Sequence, residues 1–210
     1  MIRVLIVDDH AILRRGLAYI ISETDDMQVV GEAESSAQVM HLVRETPVDV
    51  VLLDITMADR NGLDTLKLLK KEKPRVAVLM LSMHPEELYA LRSIKAGASG
   101  YLNKASAPAL LVTAIRQVAS GHKYISAAVA EELANNFTDG SSQERHATLS
   151  DREYETMRLI ASGKTLSEIA EEMSLSPKTV SVYRARLLQK MQLKNNAELT
   201  HYALKNQLVD

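Results

Sequence analysis

Val50-Val51-Leu52-Leu53-Asp54-Ile55-Thr56-Met57, VVLLDITM, is an apolar run that stops on a carboxylate and then resumes. Four consecutive apolar residues, two of them β-branched, suit a strand buried on both faces, as in the centre of a parallel sheet. Comparable runs lie at residues 4–7, 29–33, 48–53, 76–81 and 100–102. Between them the apolar residues change period. Ile12-Leu13-Leu17-Ile20-Ile21, Val39-Met40-Leu42-Val43, Leu63-Leu66-Leu69 and Leu88-Leu91-Ile94 fall at helical spacing, and a fifth helix is expected over 107–120. Alternating strand and helix predicts an α/β domain, a flavodoxin-like (βα)5 unit over residues 1–120 with helices on both faces of a parallel sheet.

That fold gives the carboxylate a place. In open parallel sheets, ligand sites lie beyond the C-terminal ends of the strands. Asp8 and Asp9 end the first strand and Asp54 ends the third, so a strand order of 2-1-3-4-5 gathers three carboxylates in one pocket. Like charges this close repel, and oxygen-only ligands favour a hard divalent cation such as Mg²⁺. Ser82 follows the fourth strand and Lys104 the fifth, at the same edge. Carboxylates, a cation, an ammonium and a hydroxyl together suit a phosphoryl group.

Composition narrows the class. The chain has 210 residues, 46% hydrophobic and 25% charged, which is ordinary globular usage. It has no cysteine, excluding disulfides and thiolate metal sites and pointing to a reducing cytoplasm. No apolar run approaches the ~20 residues of a membrane span, and two aspartates interrupt the N-terminus before a signal-peptide core could form. A soluble intracellular protein is expected, with no membrane partner. The formal net charge of -2 hides a local asymmetry near the C-terminus.

Residues 121–147 read as a short helix, near 127–137, followed by a polar linker over 138–146. A second, all-α domain of four helices is expected over 148–210. Its helix starts are well marked. Ser150-x-x-Glu153 and Thr165-x-x-Glu168 are capping boxes, Leu149 and Tyr154 have hydrophobic-staple spacing, and Ser176-Pro177 supplies an N-cap with proline at the first helical position.

Four motifs in order, VDDH at 7–10, LLDITM at 52–57, LSMH at 81–84 and KAGASGYLNKA at 95–105, resemble a two-component receiver domain. The segment SPKTVSVYRARLLQKMQLKNNAEL at 176–199 is similar to a LuxR-type helix-turn-helix, so nearly the whole chain resembles a response regulator of the NarL/FixJ family. The resemblance implies that Asp54 is the phosphoacceptor, served by a sensor histidine kinase. It further implies that Asp8, Asp9, Asp54 and the backbone carbonyl of Thr56 hold Mg²⁺. Ser82 and Lys104 would engage the phosphoryl group, and Tyr101 would be the aromatic switch residue. Such self-modification is not enzymatic turnover. One departure stands out: Met57-Ala58-Asp59 occupies the place of the usual Met-Pro-Gly.

In the second domain, 165–173, a turn at 174–175 and 176–191 fit helix-turn-helix, whose second helix enters the DNA major groove. From Lys178 to Lys194 every charged residue is basic, whereas the preceding helices carry Glu153, Glu155, Glu168, Glu171 and Glu172. Phosphate contacts need such local polarity. The expected contacts to double-stranded DNA are Lys178, Thr179, Ser181, Val182, Arg184 and Arg186, with Val180, Leu187, Leu188 and Met191 in the core. The last helix is expected to support a homodimer, at least when the receiver is phosphorylated. The six histidines lack metal-ligand spacing. Two other classes remain: a phosphoaspartate phosphatase, which wants a second aspartate where Thr56 stands, and an adaptor indifferent to phosphorylation.

Overall fold

The computed structural model describes residues 1–57, 61–83, 86–127, 129–131, 145–206 and 208–209, with backbone alone at 87, 88 and 147. His84, the Ala58–Asp59 departure, and most of the expected 127–137 helix and 138–146 linker lie outside the described residues. The chain divides into two compact units, Met1–Thr138 and Asp139–Asp210.

The first unit alternates β1 (Ile2–Val7), α1 (Ala11–Ser22), β2 (Met27–Ala33), α2 (Ser36–Glu45), β3 (Val50–Asp54), α3 (Gly62–Glu72), β4 (Ala77–Ser82), α4 (Glu86–Lys95), β5 (Gly100–Asn103) and α5 (Ala107–Ala119). All strand pairings are parallel, in the order β2-β1-β3-β4-β5. This is the expected (βα)5 architecture. Strand bounds differ from the sequence reading by at most two residues; β2, an edge strand, begins at Met27 because Ile2 already pairs with it there.

Side chains alternate across the sheet. Val4, Ile6, Val50, Leu52, Leu79 and Leu81 share one core cluster with Leu17 and Ile21 of α1 and Leu111 and Ile115 of α5. Leu5, Val7, Val51, Leu53, Val78 and Met80 alternate with them and are fully buried too, so the run in β3 is apolar on both faces for a structural reason. The segment after α5 protects the exposed edge of β5. There the Tyr101 N–H donates to the Tyr124 carbonyl at 3.0 Å, and the Tyr124 N–H donates to the Ser99 carbonyl at 3.0 Å.

The second unit holds α6 (Asp151–Ala161), α7 (Leu166–Glu172), α8 (Pro177–Met191) and α9 (Asn196–Lys205). Both capping boxes form as expected, and Ser176 caps α8 by accepting from the Thr179 N–H at 3.1 Å. Leu149, Tyr154, Met157, Ile169, Val180, Leu187, Met191, Leu199 and Ala203 are buried together in this unit. Among the described residues, no helix is long and apolar enough to cross a membrane.

Gly62 opens α3 against the end of β3: a Cβ there would lie 1.9 Å from the Asp54 carbonyl oxygen and 2.9 Å from the Ile55 Cα. Both neighbours are backbone and have no rotamer to escape into. Gly62→Ala is therefore expected to destabilise the unit by about 2–3 kcal/mol, measured by urea unfolding of the full chain. Unchanged stability would show that the β3–α3 connection yields freely.

Candidate functional site

Three strands deliver one pocket. Asp8 follows β1, Asp54 is the last residue of β3, and Lys104 follows β5. The Lys104 ammonium Nζ lies 2.7 Å from Asp8 Oδ2 and 2.8 Å from Asp54 Oδ2. Asp8 is 0%, Asp54 1% and Lys104 9% exposed, so these charges meet almost out of water. Local bonds hold each in place. Asp8 Oδ1 accepts from the His10 backbone N–H at 2.8 Å, and Arg14 Nη1 donates to the Asp8 carbonyl at 2.7 Å. Asp54 Oδ1 accepts from the Thr56 N–H at 3.3 Å. Asn103 Oδ1 accepts from the Ala105 N–H at 2.9 Å, shaping the turn that carries Lys104.

Ser82 ends β4, the strand between those of Asp54 and Lys104, and is 1% exposed. Tyr101 in β5 is 2% exposed, its ring already packed inside. The sequence reading thus names the groups at this edge, and the strand order brings them together.

Burial raises the Asp54 carboxyl from 3.8 to about 6; the Lys104 charge opposes the rise, and the Asp8 charge adds to it. The pocket is short of positive charge. Asp8 Oδ2 and Asp54 Oδ2 are buried and accept no hydrogen bond of good geometry among the described residues, so Lys104 serves them by charge. One ligand atom each from Asp8, Asp9, His10 and Asp54 lie within 4.8 Å of one another. Such a donor set suits a divalent cation. His10 was not anticipated from spacing: its Nδ1 lies 2.8 Å from Asp9 Oδ1 and 3.1 Å from Asp8 Oδ1. Direct adjacency to Asp8-Asp9 was the available signal.

The second candidate surface is α8. Lys178, Ser181, Val182 and Arg186 are exposed at i, i+3, i+4 and i+8, one face of the helix. Ala185 and Gln189, missed by reading charge alone, complete that face. Val180, Leu187, Leu188 and Met191 line the opposite side, buried as expected.

The remaining basic and polar positions are partly committed elsewhere. Arg184 is half-buried and its Nε donates to Asn196 Oδ1 at 2.6 Å, tying α8 to the first turn of α9. Thr179 Oγ1 lies 2.8 Å from Ser176 Oγ at the cap. Lys190 Nζ donates to Glu153 Oε2 at 2.6 Å. Glu153 is 3% exposed; burial alone would raise its carboxyl, but bonds from Lys190 and Ser150 hold it below the usual range.

Comparison with known proteins identifies both domains. Residues 4–116 match the response regulator receiver domain, and residues 147–203 match the luxR family of bacterial regulatory proteins. The chain is 37% identical to the response regulator UvrY of Escherichia coli (strain K12) over 209 residues, covering 99% of this chain and 96% of UvrY. It is 35% identical to the response regulator GacA of Pseudomonas aeruginosa, covering 100% of this chain and 99% of GacA. Among solved structures, Salmonella enterica serovar Typhimurium RcsB, bound to promoter DNA with the phosphomimetic BeF3-, is 25% identical, with a TM-score of 0.64 over 96% of this chain and 97% of RcsB.

The raised Asp54 carboxyl has a pH signature. A carboxyl that binds its proton more tightly folded than unfolded lends stability at low pH, lost as pH rises from about 4, its unfolded value, to about 6. Asp54→Asn removes that loss. In metal-free buffer the variant is expected to match the parent near pH 4 and to exceed it by about 1–3 kcal/mol at pH 8, read by urea unfolding at each pH. A difference that does not change with pH would contradict this account.

Proposed function

Since the chain belongs to the two-component response regulators that join a receiver to a LuxR-type DNA-binding domain, we propose that Asp54 accepts a phosphoryl group from a histidine kinase and that this modification controls DNA binding through α8. The observation that carries the reading is the Asp8–Lys104–Asp54 cluster at the strand ends. An Asp54 carboxylate oxygen forms a bond to phosphorus as the phosphorus–nitrogen bond to the kinase histidine breaks, leaving an acyl phosphate. At about 6, the Asp54 carboxyl is ionised at neutral pH and available as the nucleophile.

Mg²⁺ held by Asp8, Asp9, Asp54 and the Thr56 carbonyl would supply charge neutralisation for the phosphoryl oxygens. The protein's own groups do the rest. Lys104 offers an ammonium already directed at Asp54. Ser82, buried on the intervening strand, supplies a hydroxyl for the phosphoryl oxygens. Tyr101 is packed inside even here, so its switching role is to hold or release this buried position rather than to enter from solvent. Output falls to the exposed face of α8, where Lys178 and Arg186 meet backbone phosphate and Ser181 and Val182 face the groove. The family is not enzymatic, and a homodimer on a two-fold DNA site is the assembly this output domain would use.

Incubation of the full chain with acetyl phosphate and Mg²⁺ is expected to add one phosphoryl group by intact mass, and to add none to Asp54→Asn. Equal labelling of both would remove Asp54 from the role.

The charge assignments on α8 separate by salt. Lys178→Ala and Arg186→Ala are each expected to reduce the salt slope of DNA binding by about 1. Lys190→Ala is expected to leave that slope unchanged but to destabilise the unit by about 1–2 kcal/mol, because it strips a partner from buried Glu153. A lowered slope with unaltered stability for Lys190→Ala would reverse the assignment.

A further inference from the structure

On the reading that Asp8, Asp9 and Asp54 hold a divalent cation, we propose that the His10 imidazole is a further direct ligand, biasing the site toward first-row transition-metal dications, Mn²⁺ included, over Mg²⁺. His10 is the N-cap of α1 with extended backbone, φ -85° and ψ 101°, yet its side chain makes no capping bond. Its backbone is anchored instead: the N–H donates to Asp8 Oδ1 at 2.8 Å, and the carbonyl accepts from the Arg14 N–H at 3.1 Å. The ring turns toward the acids, with Nδ1 2.8 Å from Asp9 Oδ1 and 3.1 Å from Asp8 Oδ1.

Ligand atoms on one six-coordinate ion at ~2.1–2.2 Å are about 3 Å apart when adjacent and about 4.3 Å when opposite. One atom each from Asp8, Asp9, His10 and Asp54 already lie within 4.8 Å of one another, so shifts below about 1 Å would enclose an ion. Those shifts meet little resistance, because the His10 side chain is 70% exposed and can rotate without disturbing the core.

Asp8 keeps Lys104 and the proposed cation apart. Its Oδ2 faces Lys104, and its Oδ1 faces His10. A cation beside His10 would therefore add to Lys104 rather than displace it. Donor chemistry then sets the preference. Mg²⁺ favours oxygen and retains water, whereas an imidazole nitrogen suits the first-row dications from Fe²⁺ onward and binds Mn²⁺, the weakest of that series, better than Mg²⁺. Among the described residues, this is the one cluster of acidic and histidine side chains able to hold a metal.

The test uses the full chain loaded with Mn²⁺. Pulsed electron paramagnetic resonance is expected to show nitrogen modulation from a coordinated imidazole, absent in His10→Ala. Calorimetry is expected to show Mn²⁺ affinity falling about tenfold in His10→Ala and His10→Gln, with Mg²⁺ affinity changing less than about twofold. Bound Mn²⁺ without nitrogen modulation, or modulation that survives His10→Ala, overturns the role of His10 alone. Mn²⁺ affinity unaltered in both Asp9→Asn and Asp54→Asn overturns the cation-site reading beneath it as well.

Discussion

The Lys104 ammonium lies 2.7 Å from one buried carboxylate and 2.8 Å from another, and the receiver unit is arranged to make that meeting possible. The partners belong to β1, β3 and β5, and β4 stands between the second and third of these. Only a long side chain can cross the end of β4, and the turn fixed by Asn103 launches it in that direction. One ammonium facing two carboxylates leaves a deficit of positive charge in a place where water cannot compensate. Burial raises the Asp54 carboxyl to about 6, with the Lys104 charge opposing the rise and the Asp8 charge adding to it. On the proposed function, a divalent cation would reduce that deficit and a phosphoryl group would enlarge it.

In the output unit, one glutamate does comparable work. Glu153 closes the capping box of α6 and, through the same Oε2, accepts from Lys190 of α8. The start of α6 therefore fixes the rotation of α8, and Arg184 fixes it again against the first turn of α9. Residues from the segment entering the unit add to this: Arg145 Nη1 donates to the Met191 carbonyl at 3.3 Å, and His146 Nδ1 lies 3.1 Å from the Tyr202 hydroxyl. Recognition of a groove needs side chains aimed from a rigid helix. Part of the basic charge on α8 secures that aim, which on the proposed function leaves the outward face for contact with DNA.

Legibility in the sequence follows the range of the interaction. Strands, helices and capping boxes were readable because their signals lie within a few residues: a continuous apolar run for β3, a three-residue spacing for Ser150 and Glu153. The acidic pocket was readable because a parallel sheet with a single strand order carries local strand ends to a common edge. Arg184 was not separable from Lys178 and Arg186, since its partner lies 12 residues away, and the tie of Lys190 to Glu153 spans 37 residues. His10 escaped for another reason. Its neighbours in sequence were visible, but the turn of its ring toward them depends on the backbone at the start of α1. Gly62 carried no sequence signal of its own; its need arises from the approach of the Asp54 carbonyl.

Magnitudes connect the pocket to the switch. Raising a carboxyl from 3.8 to about 6 corresponds to about 3 kcal/mol of ionisation free energy withheld by the protein. Moving a two-state equilibrium from one extreme to the other takes about 5.5 kcal/mol. On the proposed function, a phosphoryl group would add further negative charge at the same buried point, so the demand on Lys104, Ser82 and the surrounding backbone would exceed what the carboxylate alone imposes. A rearrangement of the neighbouring β4 and β5 ends can relieve that demand, and these are the ends from which Ser82 and Lys104 arise. On the proposed function, the burial that makes Asp54 costly to ionise also raises the free energy that its phosphorylation would supply toward selecting between conformations.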